Sequence, residues 1–152
     1  MGDGAALSAE RQVTNLLHRY AEAVDDGDFD AVGELFAGAG YHAADPGAPV
    51  LRGDEVAAVM RRMVQVHEGG SPRTKHVVSN VIFELDESGE VAHTRSYFTV
   101  LQATSGLPLQ PIVTGRYLDT FRVAEGVWRF SDRSIVIEHV GDVSQHMATG
   151  TL

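Results

Sequence analysis

The sequence contains no cysteine. That excludes a disulfide framework, a thiol nucleophile and any thiolate metal site. Basic residues are scarce, with 12 Lys and Arg against 21 Asp and Glu and a formal net charge of −9. A nucleic-acid partner wants a basic face, so none is expected, and the acidity reads first as a solubility device. No apolar run approaches the length of a bilayer span, so no membrane partner is expected either. Met1 to Ala9 has no basic patch followed by an apolar stretch and does not read as a secretory signal, which makes a cytoplasmic location the default expectation. Internal repeats, low-complexity tracts, a Gly-rich phosphate loop and a nucleophile elbow are also missing. No histidine pair sits at metal-ligand spacing with a third donor nearby, so neither a metal nor a cofactor is expected.

What is there is a globular composition. The 152 residues are 43% hydrophobic and 22% charged, which is enough to build a core without staples. One domain over residues 1–152 is expected, with its core at about 8–139 and flexible ends. Val13, Leu16, Leu17, Tyr20 and Val24 recur at helical spacing after Ser8, a natural N-cap, and Asp25-Asp26-Gly27 ends that helix. A short helix follows, capped by Asp28 with Phe29, Val32 and Phe36 on one face. A third runs from about Asp54 to Val66 on the stripe Val56, Val59, Met60 and Met63. The intervening Gly38 to Arg52 reads as an extended arm with a turn at Pro46 and Pro49.

The second half reads as strands at Thr74–Leu85, Val91–Ala103, Ile112–Val123 and Val127–Glu138. They are separated by turns at Asp86–Gly89, Ser105–Pro108 and Glu125-Gly126. Helices first and strands after is the α+β pattern. Strands this long must twist, and helices over the concave face of a twisted sheet make a cup.

The run from Arg19 to Asp30 followed by Leu35-Phe36, then Arg52-Gly53, His76 with Asn80, Gly115 to Asp119, and Gly126 to Phe130 with Arg133, resembles SnoaL-like members of the nuclear transport factor 2-like superfamily. The resemblance implies a cone-shaped, curved antiparallel or mixed sheet with three N-terminal helices on its concave face. It also implies an apolar pocket and a homodimer. It does not choose among the superfamily's dehydratases, ketosteroid isomerases, polyketide cyclases, dehydrochlorinase, epoxide hydrolases and non-catalytic members.

Within that resemblance His76 and Asp25 match a strand histidine and a helix-end aspartate that work as a pair in dehydratases and the dehydrochlorinase. Tyr20 matches a helix tyrosine, and Arg133 an arginine of the last strand. β-Elimination needs a base near neutrality, which a histidine supplies, and a carboxylate on its other nitrogen fixes the tautomer. A tyrosine hydroxyl can donate to a developing enolate, and an arginine can neutralise a carboxylate or hold a leaving group. Competing structural readings stand beside each: core packing for Tyr20, capping for Asp25, surface exposure for His76, a sheet ion pair for Arg133. Asn80 shares strand parity with His76 under regular alternation. With Phe36, Met60, Met63 and His42 it completes the expected substrate-binding set, His42 reaching the pocket mouth. The remaining histidines read as exposed or, for His139 and His146, as tail.

The leading functional expectation is a cofactor-independent lyase acting on a hydrophobic steroid- or polyketide-like carbonyl compound. Alternatives are an isomerase or cyclase using the same base, and a non-catalytic dimer that binds an apolar ligand. Two acids for an isomerase site are not identifiable, although Asp119 is one possible buried carboxyl. Val81, Phe83, Tyr97 and Phe121 are expected on an outer sheet face that pairs with a second copy.

Overall fold

The computed structural model describes residues 6–152, so the N-terminal end expected to be flexible lies, in its first five residues, outside the described residues. Helices α1 (Ala9–Asp26), α2 (Phe29–Leu35) and α3 (Asp54–Met63) precede most of the sheet. The strands are β1 (Gly40–Ala43), β2 (Thr74–Leu85), β3 (Val91–Thr104), β4 (Leu107–Ala124) and β5 (Val127–Val140). Their order in one open sheet is β1-β5-β4-β3-β2. β1 runs parallel to β5, and every other neighbouring pair is antiparallel. This is the mixed α+β architecture read from the sequence, with helices over one face of the sheet. No helix among the described residues is long and apolar enough to cross a membrane.

Local chemistry fixes the elements that matter for the site. The Ser8 side chain accepts from Arg11 N–H at 3.2 Å and starts α1. Gly27, at φ 74°, ends it by returning its N–H to the carbonyls of Ala23 and Val24. A Cβ there would stand 2.6 Å from the Gly70 carbonyl, so both conformation and space require glycine. This stop leaves Asp25 on the last turn, facing the start of β2. Val13, Leu17 and Val24 of the same helix are fully or almost fully buried, each worth about 1.5–3 kcal/mol of transfer free energy.

Four departures from the sequence reading have physical causes. α3 stops at Met63 rather than Val66, because Val64 turns to extended backbone and bridges to Met147. The arm contains β1, and its short parallel pairing puts Tyr41 beside Arg133. β4 begins at Leu107 rather than Ile112. Residues 107–112 pair with β3, while pairing to β5 starts at Val113, so this stretch is an edge that tolerates Pro108 and Pro111. β2 carries a bulge between Ser79 and Ile82, with Asn80 at φ 51°.

The bulge reverses the side-chain parity of the end of β2. Val81 and Phe83, expected outside, pack against the core, and Ile82 faces out opposite Arg95. Phe121, also expected outside, is completely buried. Of the four residues assigned to the outer face only Tyr97 is exposed there. It stands with Val77, Ile82 and Leu118, all 45–51% exposed, among the charges of Arg95 and Arg116.

Residues 141–148, read from the sequence as a loose end, are packed. Gly141 N–H bonds the Ile112 carbonyl at 2.7 Å, and Ala148 N–H bonds the Met63 carbonyl at 2.8 Å. The segment therefore closes the space between α3 and the sheet.

Candidate active site

A cavity of about 310 Å³ opens between α1, α3, the sheet and the 141–148 segment. Its wall is mostly apolar, including Val56, Met60, Met63, Phe98, Val100 and Ile135. Tyr20, Tyr41, Tyr117, His76 and His146 supply the polar groups. A few convergent polar groups in an apolar concavity is the usual form of a small-molecule site.

β2 delivers His76 and α1 delivers Asp25. His76 Nδ1 lies 2.6 Å from Asp25 Oδ1, and His76 backbone N–H donates to Asp25 Oδ2 at 2.8 Å. Thr74 Oγ1 donates to Asp25 Oδ1 at 2.7 Å. A carboxylate surrounded by donors is an acceptor only, so Nδ1 of His76 carries the hydrogen. Nε2 is left with its lone pair. Burial pushes the Asp25 carboxyl up, but the hydrogen bonds and charge of His76, with Thr74, outweigh it and hold the group below its ordinary value. Both side chains are more than nine-tenths buried, yet His76 remains part of the cavity wall and Asp25 sits behind it.

The tyrosines form a second polar cluster. Tyr20 and Tyr41 share a hydroxyl hydrogen bond of 2.9 Å. Only one proton is consumed between two hydroxyls, so one O–H stays free to donate. Burial raises all three phenols above their ordinary value, and the Arg133 guanidinium opposes that rise. The guanidinium carbon sits 4.3 Å from the Tyr20 ring centroid and 3.8 Å from that of Tyr117.

Several expected site residues are placed elsewhere. Arg133 does not line the cavity. It is wholly buried behind the tyrosines, donating to Asp119 through Nε at 2.7 Å and Nη2 at 2.8 Å. Burial opposes its charge, but the paired Asp119 carboxylate raises it and keeps the guanidinium ionised. The expected direct hold on substrate therefore does not fit this placement, since Arg133 is sealed beneath the tyrosines and paired with Asp119. Phe36 is likewise wholly buried, edge-on to Tyr20 and Tyr41 in the layer behind the wall. Asn80 is exposed because the bulge turns it out of register with His76. His42 alternates away from Tyr41 on β1 and binds Asp132 at 3.0 Å, so it does not reach the cavity. Burial pushes the His42 imidazole down, but the Ala43 carbonyl and Asp132 outweigh it and leave it raised. Met60 and Met63 are on the wall.

Tyr41, Tyr117 and His146 are cavity residues that the sequence reading did not select. Strict alternation along Gly115–Asp119, with Asp119 taken as inward, points Tyr117 inward. Tyr41 required recognising β1, and His146 carried no local signal. Among the described residues no group of three or more His, Asp or Glu stands close enough to hold a metal ion.

The model of the SnoaL-like domain matches residues 5–134, so the chain belongs to the SnoaL-like domain family. No curated protein matches the sequence. Among solved structures, Aln2 from a Streptomyces species is 25% identical over 86% of this chain and 93% of its own, with a TM-score of 0.67. An NTF2-like protein with a cystatin-like fold from Novosphingobium aromaticivorans is 19% identical, over 84% and 80% of the two chains, at a TM-score of 0.66. A candidate scytalone dehydratase from the same organism is 19% identical, over 87% and 85%, at 0.65. At such identities the similarity of the last two establishes the fold, which is the NTF2-like one.

Proposed function

We propose that the protein is a cofactor-independent lyase that eliminates water, or another β-leaving group, from a hydrophobic carbonyl compound of steroid or polyketide type. The observation that carries this reading is the His76–Asp25 pair, at 2.6 Å, set in the wall of a mostly apolar cavity. Nε2 of His76 takes the proton from the carbon next to the carbonyl. The C–H electrons form an enolate, whose oxygen receives a hydrogen bond from the Tyr20–Tyr41 pair. Collapse of the enolate forms the C=C bond and breaks the β C–O bond. The departing hydroxide takes the proton back from His76 and leaves as water. Asp25 stabilises the imidazolium between these steps and holds its tautomer. The similarity to a candidate scytalone dehydratase supports the same reaction class.

An isomerase or cyclase would share the first proton transfer, and a non-catalytic ligand-binding protein would share only the cavity. The test is a panel of β-hydroxy ketones, with formation of the conjugated enone followed by absorbance, using wild type and His76→Ala. Turnover by wild type and none by a folded His76→Ala protein is the expected result. Near-wild-type kcat/KM in that variant contradicts it. Pairing of two copies through the outer sheet face, around Val77, Tyr97 and Leu118, belongs to the same proposal, and a monomer mass by light scattering at micromolar concentration contradicts that part.

A further inference from the structure

The proposed chemistry leaves one histidine of the cavity wall without a task. His146 is 8% exposed and is delivered by the 141–148 segment. That segment is latched from three sides. Gln65 N–H donates to the His146 carbonyl at 2.8 Å, and its side-chain amide donates to the carbonyls of Ser144 at 2.8 Å and Met147 at 2.6 Å. Gln102, itself fully buried, donates to the Gln145 carbonyl at 2.9 Å, and His67 Nε2 donates to the same carbonyl at 2.7 Å. Residues on both sides of position 146 are thus fixed, and with them the ring.

The ring nitrogens differ. Nδ1 is sealed from solvent and has no hydrogen-bond partner among the described residues. An orphaned buried N–H is rarer than an orphaned acceptor, so Nδ1 carries the lone pair and the hydrogen resides on Nε2. His76 has the reverse arrangement, with Nδ1–H committed to Asp25. Burial first, and then His76 and His67, lower His146 to about 4 against the pull of Asp25, so the ring is neutral at pH 7. A neutral imidazole can polarise an oxygen without bringing a second positive charge next to the base.

We propose that His146 presents an Nε2–H to an oxygen of the bound substrate, so that the two cavity histidines work in opposite tautomers, one accepting a proton and the other donating a hydrogen bond. The division of labour rests on the lyase reading for His76 only. It also narrows the ligand class to an apolar ring system bearing two separated oxygens, one for the tyrosine pair and one for His146.

The test uses the full chain labelled with 15N-histidine, with the His146 signals assigned by their loss in His146→Phe. The expected spectrum at pH 7 shows His146 as the Nε2–H tautomer, still neutral at pH 5. Decalin-1,5-dione, a fused bicycle with two carbonyls, shifts those signals, and His146→Phe weakens its binding about tenfold more than it changes that of decalin. An Nδ1–H tautomer, a midpoint near 6.5, or signals that the dione leaves unmoved would overturn the proposal. So would an equal loss of affinity for both compounds. If His146→Phe fails to fold, His146→Gln supplies the assignment, and the wild-type tautomer and its response to the dione decide. The same spectrum reads His76 separately, so a His76 lacking Nδ1–H sinks the dyad without touching the His146 result.

Discussion

Two nitrogen–carboxylate pairs on the inner face of this sheet have opposite settings. Arg133–Asp119 is sealed, bidentate and roofed by aromatic rings, with both side chains at zero exposure. His76–Asp25 is as short but stands at the cavity wall, where the free imidazole nitrogen can meet a ligand. The first pair is built from a guanidinium that stays charged, the second from an imidazole whose outer nitrogen can accept and return a proton. The difference teaches that burial and geometry alone do not mark a catalytic pair. One partner must be able to exchange its proton with something in the cavity.

Substitutions should separate the two. Asp25→Asn leaves the shape but lets His76 adopt the wrong tautomer, so kcat/KM should fall by about three to four orders of magnitude. Enone formation checks this, with circular dichroism confirming the fold. Arg133→Ala strands the Asp119 charge in the core and should cost about 3–5 kcal/mol of stability in urea titrations. A loss below about 1 kcal/mol would show that water reaches the pair.

Acid should act on the cavity side before the sealed side. His146, lowered to about 4 in the folded protein, is neutral over a range where the unfolded chain already binds a proton. Its ordinary value is 6.5. Between those values the unfolded state holds more protons, so stability rises with pH and flattens above about 6.5. The whole effect is on the order of 3 kcal/mol. Asp25, held below its ordinary 3.8, adds stability that is lost only at lower pH. Urea midpoints from pH 4 to 8 measure the slope, and His146→Phe should flatten it between 4 and 6.5. The smallest expected effect is Tyr41→Phe, which removes one hydroxyl from the pair that holds the enolate. It should cost about 1 kcal/mol in the barrier, read as a fivefold to tenfold loss in kcat/KM.

Much of the scaffold was legible. Ser8, Asp28 and Gly27 are local signals for caps and stops, and apolar periodicity located the helices and the four long strands. The site was legible in part. The alignment of Asp25 and His76 came through family resemblance, because no local rule joins residues 51 positions apart. Asn80 misled because a bulge at a non-glycine position leaves no mark in the pattern, and regular alternation then assigns the wrong face. His146 was unreadable because its position depends on Gln65, His67 and Gln102, three distant residues that grip backbone rather than side chain. Arg133 was found, but its depth depends on four aromatic rings from α1, the end of α2, β4 and β5 closing around it.

The central claim is that His76 removes a proton from carbon with Asp25 behind it. Hydrogen–deuterium exchange at the α-carbons of decalin-1,5-dione, followed by proton NMR in heavy water, reads that step without requiring a leaving group. Wild type should accelerate the exchange, Asp25→Asn should retain little of the acceleration, and His76→Ala none, while all three stay folded. Acceleration that survives His76→Ala, or its absence in wild-type protein saturated with the dione, would contradict the account.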